Sequence, residues 1–502
     1  MREPSRETDL GAPVNAGAPI NAGAPFALAP REQRLLAERL RRGVARARRS
    51  GHATLVTLTS VLDERVDPSA VVCASRRPGE HWFAFEQPDH DAAALAALGE
   101  AVRLDAAGGR RIADVGDRWR ALCADAVAGE SGAADAAGEG EGPVAVGGFS
   151  FAPDGGAAPH WSGFAPASLV VPEVALVRRV RHGRACVRLT LSALAQPDDV
   201  PEQLHSRLCA RAGELRHAPL PLLDPAPTGR HLLASAMPPE HFESAVAHAV
   251  QAIRAGELQK VVLAREVHVH APTPYEAAAV LGVLREEFPA CFVFCAGRGD
   301  AAFVAASPEL LVRREGHRVS TLALAGSTRR SADPAVDDHL GEQLLRDPSY
   351  REEHAIVARR IERMLRPHAI WVAAAPEPTL VRIANIQHLG TPIRAQLAQP
   401  LDALALVALM HPTPAVGGEP LAVAAPLIPA LEGLDRGWYA GPVGWTDATG
   451  DGEFCVALRC ALLRGNVARC FAGNGIVRNS QPAAELAETE IKLQALLPLL
   501  AG

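Results

Sequence analysis

A chain of 502 residues with 48% hydrophobic content can bury one large core or two smaller ones. The formal charge is only −6, with no long run of one sign, which argues against nucleic acid or a membrane surface as the main partner. No stretch approaches the roughly twenty apolar residues of a membrane span, the N-terminus lacks a signal-peptide core, and the nine cysteines show no CxxC spacing. The expectation is a reduced, cytoplasmic protein without a thiolate metal site.

Residues 1–30 carry a short repeat, GAPVNAGAPINAGAP, with neither helical nor strand periodicity, and read as a disordered tail. A helix is predicted across 31–49, then strands near 52–60, 69–75 and 81–86. The low-complexity stretch from Ala128 to Gly142 reads as an exposed loop, followed by strands near 144–151, 168–180 and 184–192. The segment 216–230, with four prolines, separates an N-terminal half (31–235) from a C-terminal half (236–502). In the C-terminal half, Phe242, Val246, Val250 and Ile253 recur at helical spacing and Gly256 ends that helix. A strand at 260–270 and a helix at 273–287 follow. A strand ending at Ala306 leads into two strands that turn at Gly316. A helix at 349–366, strands at 442–446, 453–464 and 467–472, and a final helix at 482–497 complete the chain. The pattern points to α+β sheets faced by helices. No GxGxxG turn or P-loop is present, so no nucleotide cofactor is expected.

Of 51 basic residues only Lys260 and Lys492 are lysine. Arginine stays protonated at any working pH, whereas a lysine can give up its proton when burial or nearby cations lower its pKa. In a chain this arginine-rich, the two survivors are candidates for work arginine cannot do. Lys260 opens a strand: its bland reading is an edge lysine in water, its functional reading a buried general base. Glu309 follows Ser307 and Pro308, where a strand breaks and restarts, so its carboxylate is either a solvated strand end or projects into a cleft.

The helix near 349–366 has an apolar face set by Ile356, Val357, Ile361 and Met364. At about 100° per residue Glu353 falls near the middle of that face and Glu352 well away from it. A carboxylate on a buried face must be paired, protonated or bound to a cation. In the last helix Glu485, Glu488 and Lys492 share one stripe, either as an ordinary surface pair or as the wall of an anion and metal site. Carboxylates without thiols suit magnesium. FAGNGIV, at 471–477, offers backbone N–H groups through Gly473 and Gly475 that could hold a carboxylate. Arg459, alone among apolar neighbours in FCVALRCALL, needs an anion as partner.

The ordered set KVVLAR, ASPELL, LALAGSTRR, EEH, NIQHL, MHPTPAVGGEP, GWYAGPVGW, ALRCA, AGNGIV and ELAETEIK resembles the chorismate-utilising enzymes, over about residues 237–497. Within them it is most similar to the isochorismate synthases: Lys260 stands where anthranilate synthases typically carry glutamine, and HPTPAVGG where they read PAGTVSG. The resemblance implies two antiparallel β-sheets packed face to face with helices outside, built from both halves of the chain. It implies Lys260 as base and Glu309 as acid, with magnesium held by Glu353 and Glu488 and Glu485 beside it. Arg459, Tyr439, Lys492 and the Gly473–Gly475 backbone match the groups holding the substrate carboxylates, Gly326 and Ser327 line the ring pocket, and His388 lies at its edge. One departure stands out: the usual AGAGI is AGNGI here, with Asn474 in the middle. The implied reaction is the reversible, magnesium-dependent conversion of chorismate to isochorismate, by water attack at C2 with loss of the C4 hydroxyl. No glutaminase subunit is implied. The nearest alternative is a salicylate synthase, which also eliminates pyruvate. Isochorismate can feed menaquinone, siderophore or salicylate synthesis, and these residues do not choose among them.

Overall fold

In the computed structural model, which describes residues 25–128, 142–181, 183–224, 229–383 and 385–501, strands from both halves of the chain assemble into two antiparallel sheets packed face to face, with helices outside. Most of the expected low-complexity loop (129–141) lies outside the described residues, as do residues 1–24 of the expected tail. The end of that tail is not solvated. Phe26 and Leu28 are buried in the core ahead of the helix Pro30–Ser50, so apolar anchoring begins before residue 30.

The larger sheet has twelve strands. Its first five, Thr54–Leu62, Arg184–Ala195, Val174–Arg181, Ala93–Leu98 and Trp82–Gln87, come from the N-terminal half. The next six, Phe292–Arg298, Ala301–Ser307, Cys460–Arg464, Val467–Ile476, Lys260–His270 and Gly418–Glu419, come from the C-terminal half, and the twelfth, Leu232–Ser235, pairs with Lys260–His270 off this path. Phe85 pairs with Phe294 across the seam. The second sheet has ten strands, and its seam joins Val144–Phe149 to Pro442–Asp447, with Gly147 opposite Gly444. The boundary near 235 therefore divides the sequence and not the fold.

Alternation of side chains explains why CFVFC reads as an unbroken apolar run. Phe294 and Ala296 face the core between the sheets, while Val293 and Cys295 face a second core under the outer helices. The same split separates Phe83 and Phe85 from Trp82 and Ala84. The helices Pro30–Ser50, Pro201–Gly213 and Ala277–Glu287 contribute Leu36, Leu40, Leu204, Leu208, Val280 and Leu284 to that second core. All nine cysteines are free thiols. Among the described residues no helix is long and apolar enough to cross a membrane.

Three predicted elements come out differently. Residues 69–75 form the helix Pro68–Ser75, because Pro68 stands at its first turn and the Asp67 side chain accepts from Ala70 N–H. The single strand predicted at 168–180 is two, Ala167–Val171 and Val174–Arg181, placed in different sheets by a break at Pro172 and Glu173. The run at 453–464 also divides, into Gly452–Val456 in the ten-stranded sheet and Cys460–Arg464 in the twelve-stranded one. The helices Arg111–Ala124 and Pro201–Gly213 had no sequence counterpart.

The last division has a companion that positions the site. Ala301–Ser307 belongs to the twelve-stranded sheet and Leu310–Glu315 to the ten-stranded one, so Pro308 and Glu309 form a crossing between sheets. Ala457–Arg459 is the return crossing beside it. Val456 N–H donates to Glu309 O at 3.0 Å, and Ala306 N–H donates to Arg459 O at 3.1 Å. Arg459 holds a left-handed backbone, φ 48°, which costs a non-glycine residue about 1 kcal/mol or more. Its placement is thus fixed by the crossings, not by local preference.

Candidate active site

Where the two crossings meet, the strand Lys260–His270 and the helices Pro348–Leu365 and Pro482–Leu493 enclose a cavity of about 350 Å³. Its walls hold every residue assigned a role in the site above: Lys260, Glu309, Gly326, Ser327, Glu353, His388, Tyr439, Arg459, Gly473, Gly475, Glu485, Glu488 and Lys492.

Lys260 is 1% exposed, which removes the edge-lysine reading. Its Nζ lies 2.9 Å from Glu353 Oε1, its one partner among the described residues. Glu353 sits where the helical-face argument put it, half-buried between exposed Glu352 and buried His354. Gly475 packs against this pair. A Cβ there would lie 2.3 Å from Glu353 Oε1 and 2.6 Å from Lys260 Cε, so a larger residue would push this ion pair out of place.

Glu309 is buried on its crossing, and loss of hydration pushes its carboxyl up to about 8 against the pull of Lys260 and Arg459. At neutral pH it is a proton donor. Arg459 is buried as well. It donates through Nη2 to His388 Nε2 at 2.8 Å, its Nε has no partner, and no carboxylate pairs with it among the described residues. Because arginine can only donate, His388 must accept at Nε2 and carry its proton on Nδ1, which lies 2.9 Å from Ser327 Oγ. Burial, then Arg459 and Lys492, push the imidazole well below its usual range, so it stays neutral. A bulge delivers this contact: the ladder skips Gly326, φ 75°, between Ala325 and Ser327, which brings Ser327 opposite His388.

The strand expected at 467–472 runs on through most of FAGNGIV as Val467–Ile476, paired residue by residue with Val261–His270. Val262 and Ala264 send their N–H groups away from it, to Gly417 O at 2.7 Å and Glu432 Oε1 at 2.7 Å. Their partners Gly475 and Gly473 are therefore non-hydrogen-bonded ladder positions whose backbone groups turn to the opposite edge. Gly473 O accepts from Lys492 Nζ there at 3.0 Å. Gly473 also admits Tyr439, whose hydroxyl would lie 2.9 Å from a Cβ at that position and whose ring stacks on Phe471.

The last helix presents its stripe inward, so the surface-pair reading fails even though the pair exists. Lys492 is buried and its Nζ lies 2.8 Å from Glu488 Oε1. Asn474, whose role the sequence left open, accepts from Lys492 Nζ at 2.6 Å and donates to Glu485 Oε2 at 3.1 Å. The Glu485 carboxyl is pushed up to about 7 by burial and then by Glu488, with Glu353 adding to it. Negative charge accumulates along this wall. Among the described residues no three histidine, cysteine, aspartate or glutamate side chains converge into a closed metal cage. Glu353 and Glu488 are each held by a lysine instead, through one oxygen. Magnesium commonly takes only one or two protein carboxylates and completes its shell with water and substrate, and this all-oxygen set fits that habit.

Sequence reasoning missed Tyr350 on the cavity wall, whose phenol burial raises to about 12. It also missed the buried pair of Arg436 with Glu432 under the Lys260 strand, where Arg436 donates to Val262 O at 2.9 Å and Val416 O at 2.9 Å. An arginine four residues after a glutamate in LEGLDRGWY was the available signal.

The family model described as chorismate binding enzyme matches residues 42–501, so the N-terminal half without recognisable motifs lies inside the match. The salicylate biosynthesis isochorismate synthase of Pseudomonas aeruginosa is 37% identical over 484 residues, which cover 95% of this chain and 96% of that protein. The solved structure of MenF, the menaquinone-specific isochorismate synthase of Escherichia coli, is similar with a TM-score of 0.73 at 26% identity, covering 93% of this chain and all of that one. Anthranilate synthase component I of Streptococcus pneumoniae shares the fold, with a TM-score of 0.59 at 20% identity over 88% of this chain and 92% of that one. With the family model matched over residues 42–501 and a relative 37% identical over 95% of its length, this chain belongs to the chorismate-binding enzymes.

Proposed function

We propose that this enzyme is an isochorismate synthase, exchanging the C4 hydroxyl of chorismate for a hydroxyl at C2. The observation that carries the reading is a pair of buried groups on one small cavity: a carboxyl that holds its proton at neutral pH, Glu309, and an amine with a single carboxylate partner, Lys260. Two such groups in one site are what paired acid and base chemistry needs. The kinship with isochorismate synthases supports the same assignment.

In this reading Arg459, lacking a carboxylate of its own, receives a substrate carboxylate, with the Tyr439 hydroxyl and the Gly473–Gly475 edge completing the cradle. Gly326 and Ser327 lie along the ring, and His388 holds Arg459 and Ser327 in position. Glu353 and Glu488, with Glu485 beside them, would hold magnesium, which when bound draws charge from the ring carboxylate and its conjugated diene. Lys260 serves as the base that takes a proton from the water attacking C2. Glu309 gives its proton to the hydroxyl leaving C4, which departs as water. One water is consumed and one released, and the two isomers are close in energy, so the reaction runs both ways.

The test incubates the protein with chorismate and magnesium, then separates isochorismate, salicylate and pyruvate by chromatography, alongside Lys260→Ala. Isochorismate without pyruvate, lost in the variant, is the expected outcome. Salicylate with stoichiometric pyruvate would move the enzyme to the salicylate synthases, and no turnover of chorismate would overturn the reading.

A further inference from the structure

Resting on that reading, the hydrogen bonds around Lys492 reassign the cation that meets the substrate. An ammonium has three N–H bonds: Lys492 Nζ donates to Asn474 Oδ1 at 2.6 Å and to Gly473 O at 3.0 Å, and is ion-paired with Glu488 Oε1 at 2.8 Å. Asn474 is 1% exposed and its amide is fully engaged too, since Nδ2 donates to Glu485 O at 2.7 Å and to Glu485 Oε2 at 3.1 Å. Chemistry fixes the amide's orientation: the ammonium can only donate to it and the carbonyl can only accept from it. With a small side chain at 474, as in the AGAGI pattern, one Lys492 N–H would face the cavity.

We infer that Asn474 is a positioning residue that commits Lys492 to the protein, tying Glu488, Glu485 and the Gly473 edge into one network and leaving Arg459 as the cation that receives the substrate carboxylate. Glu488 keeps its second oxygen for a cation. Arg459, with a buried Nε that has no partner, is the group still short of an acceptor.

The experiment is a cycle of KM values for chorismate in the native protein, Asn474→Ala, Lys492→Gln and the double variant. Lys492→Gln raises KM by less than about threefold when Asn474 is present and by about tenfold or more when position 474 is alanine, the size of one charge-assisted hydrogen bond. Equal effects in the two backgrounds overturn the inference. A second measurement needs no turnover. The chain has two lysines, so labelling with ¹⁵N-lysine yields two ammonium signals, assigned by loss of one in Lys492→Gln. The Lys492 Nζ protons exchange slowly in the native protein and faster in Asn474→Ala. Unchanged exchange overturns the inference even where chorismate is turned over. Faster exchange upholds the Asn474–Lys492 link even where chorismate proves not to be the substrate, which separates the two failures.

Discussion

The two lysines of this chain end in the same cavity with opposite fates. Lys260 Nζ has one carboxylate partner, Glu353, whereas Lys492 Nζ donates to a carbonyl and an amide and is ion-paired with a carboxylate as well. Both are buried and both are ion-paired, so neither burial nor charge separates them. Unused hydrogen-bonding capacity does. A group with N–H bonds left over can engage water or substrate, and a saturated group can only hold its neighbours in place.

The comparison breaks first at Lys260. Removing a general base costs about 10²–10⁴ in rate, so Lys260→Ala should lower kcat by about a thousandfold while the far-ultraviolet circular dichroism stays native. Lys260→Arg sharpens the point. It keeps the charge beside Glu353 but cannot act as a base at working pH, and its kcat should fall as far as that of the alanine variant. An arginine variant with near-native kcat would make Lys260 an electrostatic group and remove the contrast with Lys492.

Glu309 ranks next. In Glu309→Gln the side chain still fills its space but has no acidic proton to give, and kcat should fall by about a hundredfold or more. The native enzyme should lose activity as pH rises through about 8, where Glu309 ionises, and the residual activity of the glutamine variant should lack that limb. The stability sign runs against the usual carboxylate case. A carboxyl raised from 4.5 to about 8 binds its proton more tightly in the native than in the unfolded chain. Its contribution is full below pH 4.5, declines between there and about pH 8, and leaves a buried-charge penalty above that. Urea midpoints should therefore fall less between pH 6 and pH 9 in Glu309→Gln than in the native protein.

Much of this site was legible in the sequence because its chemistry is written in residue types that stand out locally. Glu353 on an apolar helical face, a lone arginine in an apolar strand, and two lysines among arginines each violate a pattern, and each marks a residue on the cavity wall. What stayed hidden was decided by tertiary geometry. FCVALRCALL has no proline or glycine to announce that it leaves one sheet for the other at Arg459, because the break is imposed by pairing with the crossing at Glu309. The segment after Asp67 has the β-branched look of a strand, yet a cap and a proline make it a helix. The anchoring of Lys492 depends on a ladder position that turns Gly473 O outward and on an asparagine one residue later, neither of which spacing alone reveals.

Arg459→Gln tests the cation that the anchoring of Lys492 leaves in charge. It should raise KM for chorismate by about tenfold to a hundredfold, as expected when a charge-assisted hydrogen bond to an anion is lost. Because the guanidinium also pulls the Glu309 carboxyl down, its loss should move the alkaline limb set by Glu309 to higher pH while substrate binding weakens.

Lys492→Gln is the smallest expected change in catalysis and the most informative for the comparison. The glutamine amide has two N–H bonds and no charge, so it cannot hold Gly473 O, Asn474 Oδ1 and the Glu488 carboxylate together, and the buried Gly473 and Asn474 acceptors lose their charged donor. Exchanging charge-assisted hydrogen bonds for neutral ones costs about 1 kcal/mol, read as a lower urea midpoint with an unchanged slope. KM should move by less than about threefold, because the donors removed belong to the protein network and not to the substrate. Lys260→Ala predicts the reverse signature, a collapse of kcat. If Lys492→Gln instead raised KM tenfold and left the urea midpoint untouched, Lys492 would be a substrate ligand after all, and the three acceptors around it would be a resting arrangement that chorismate displaces.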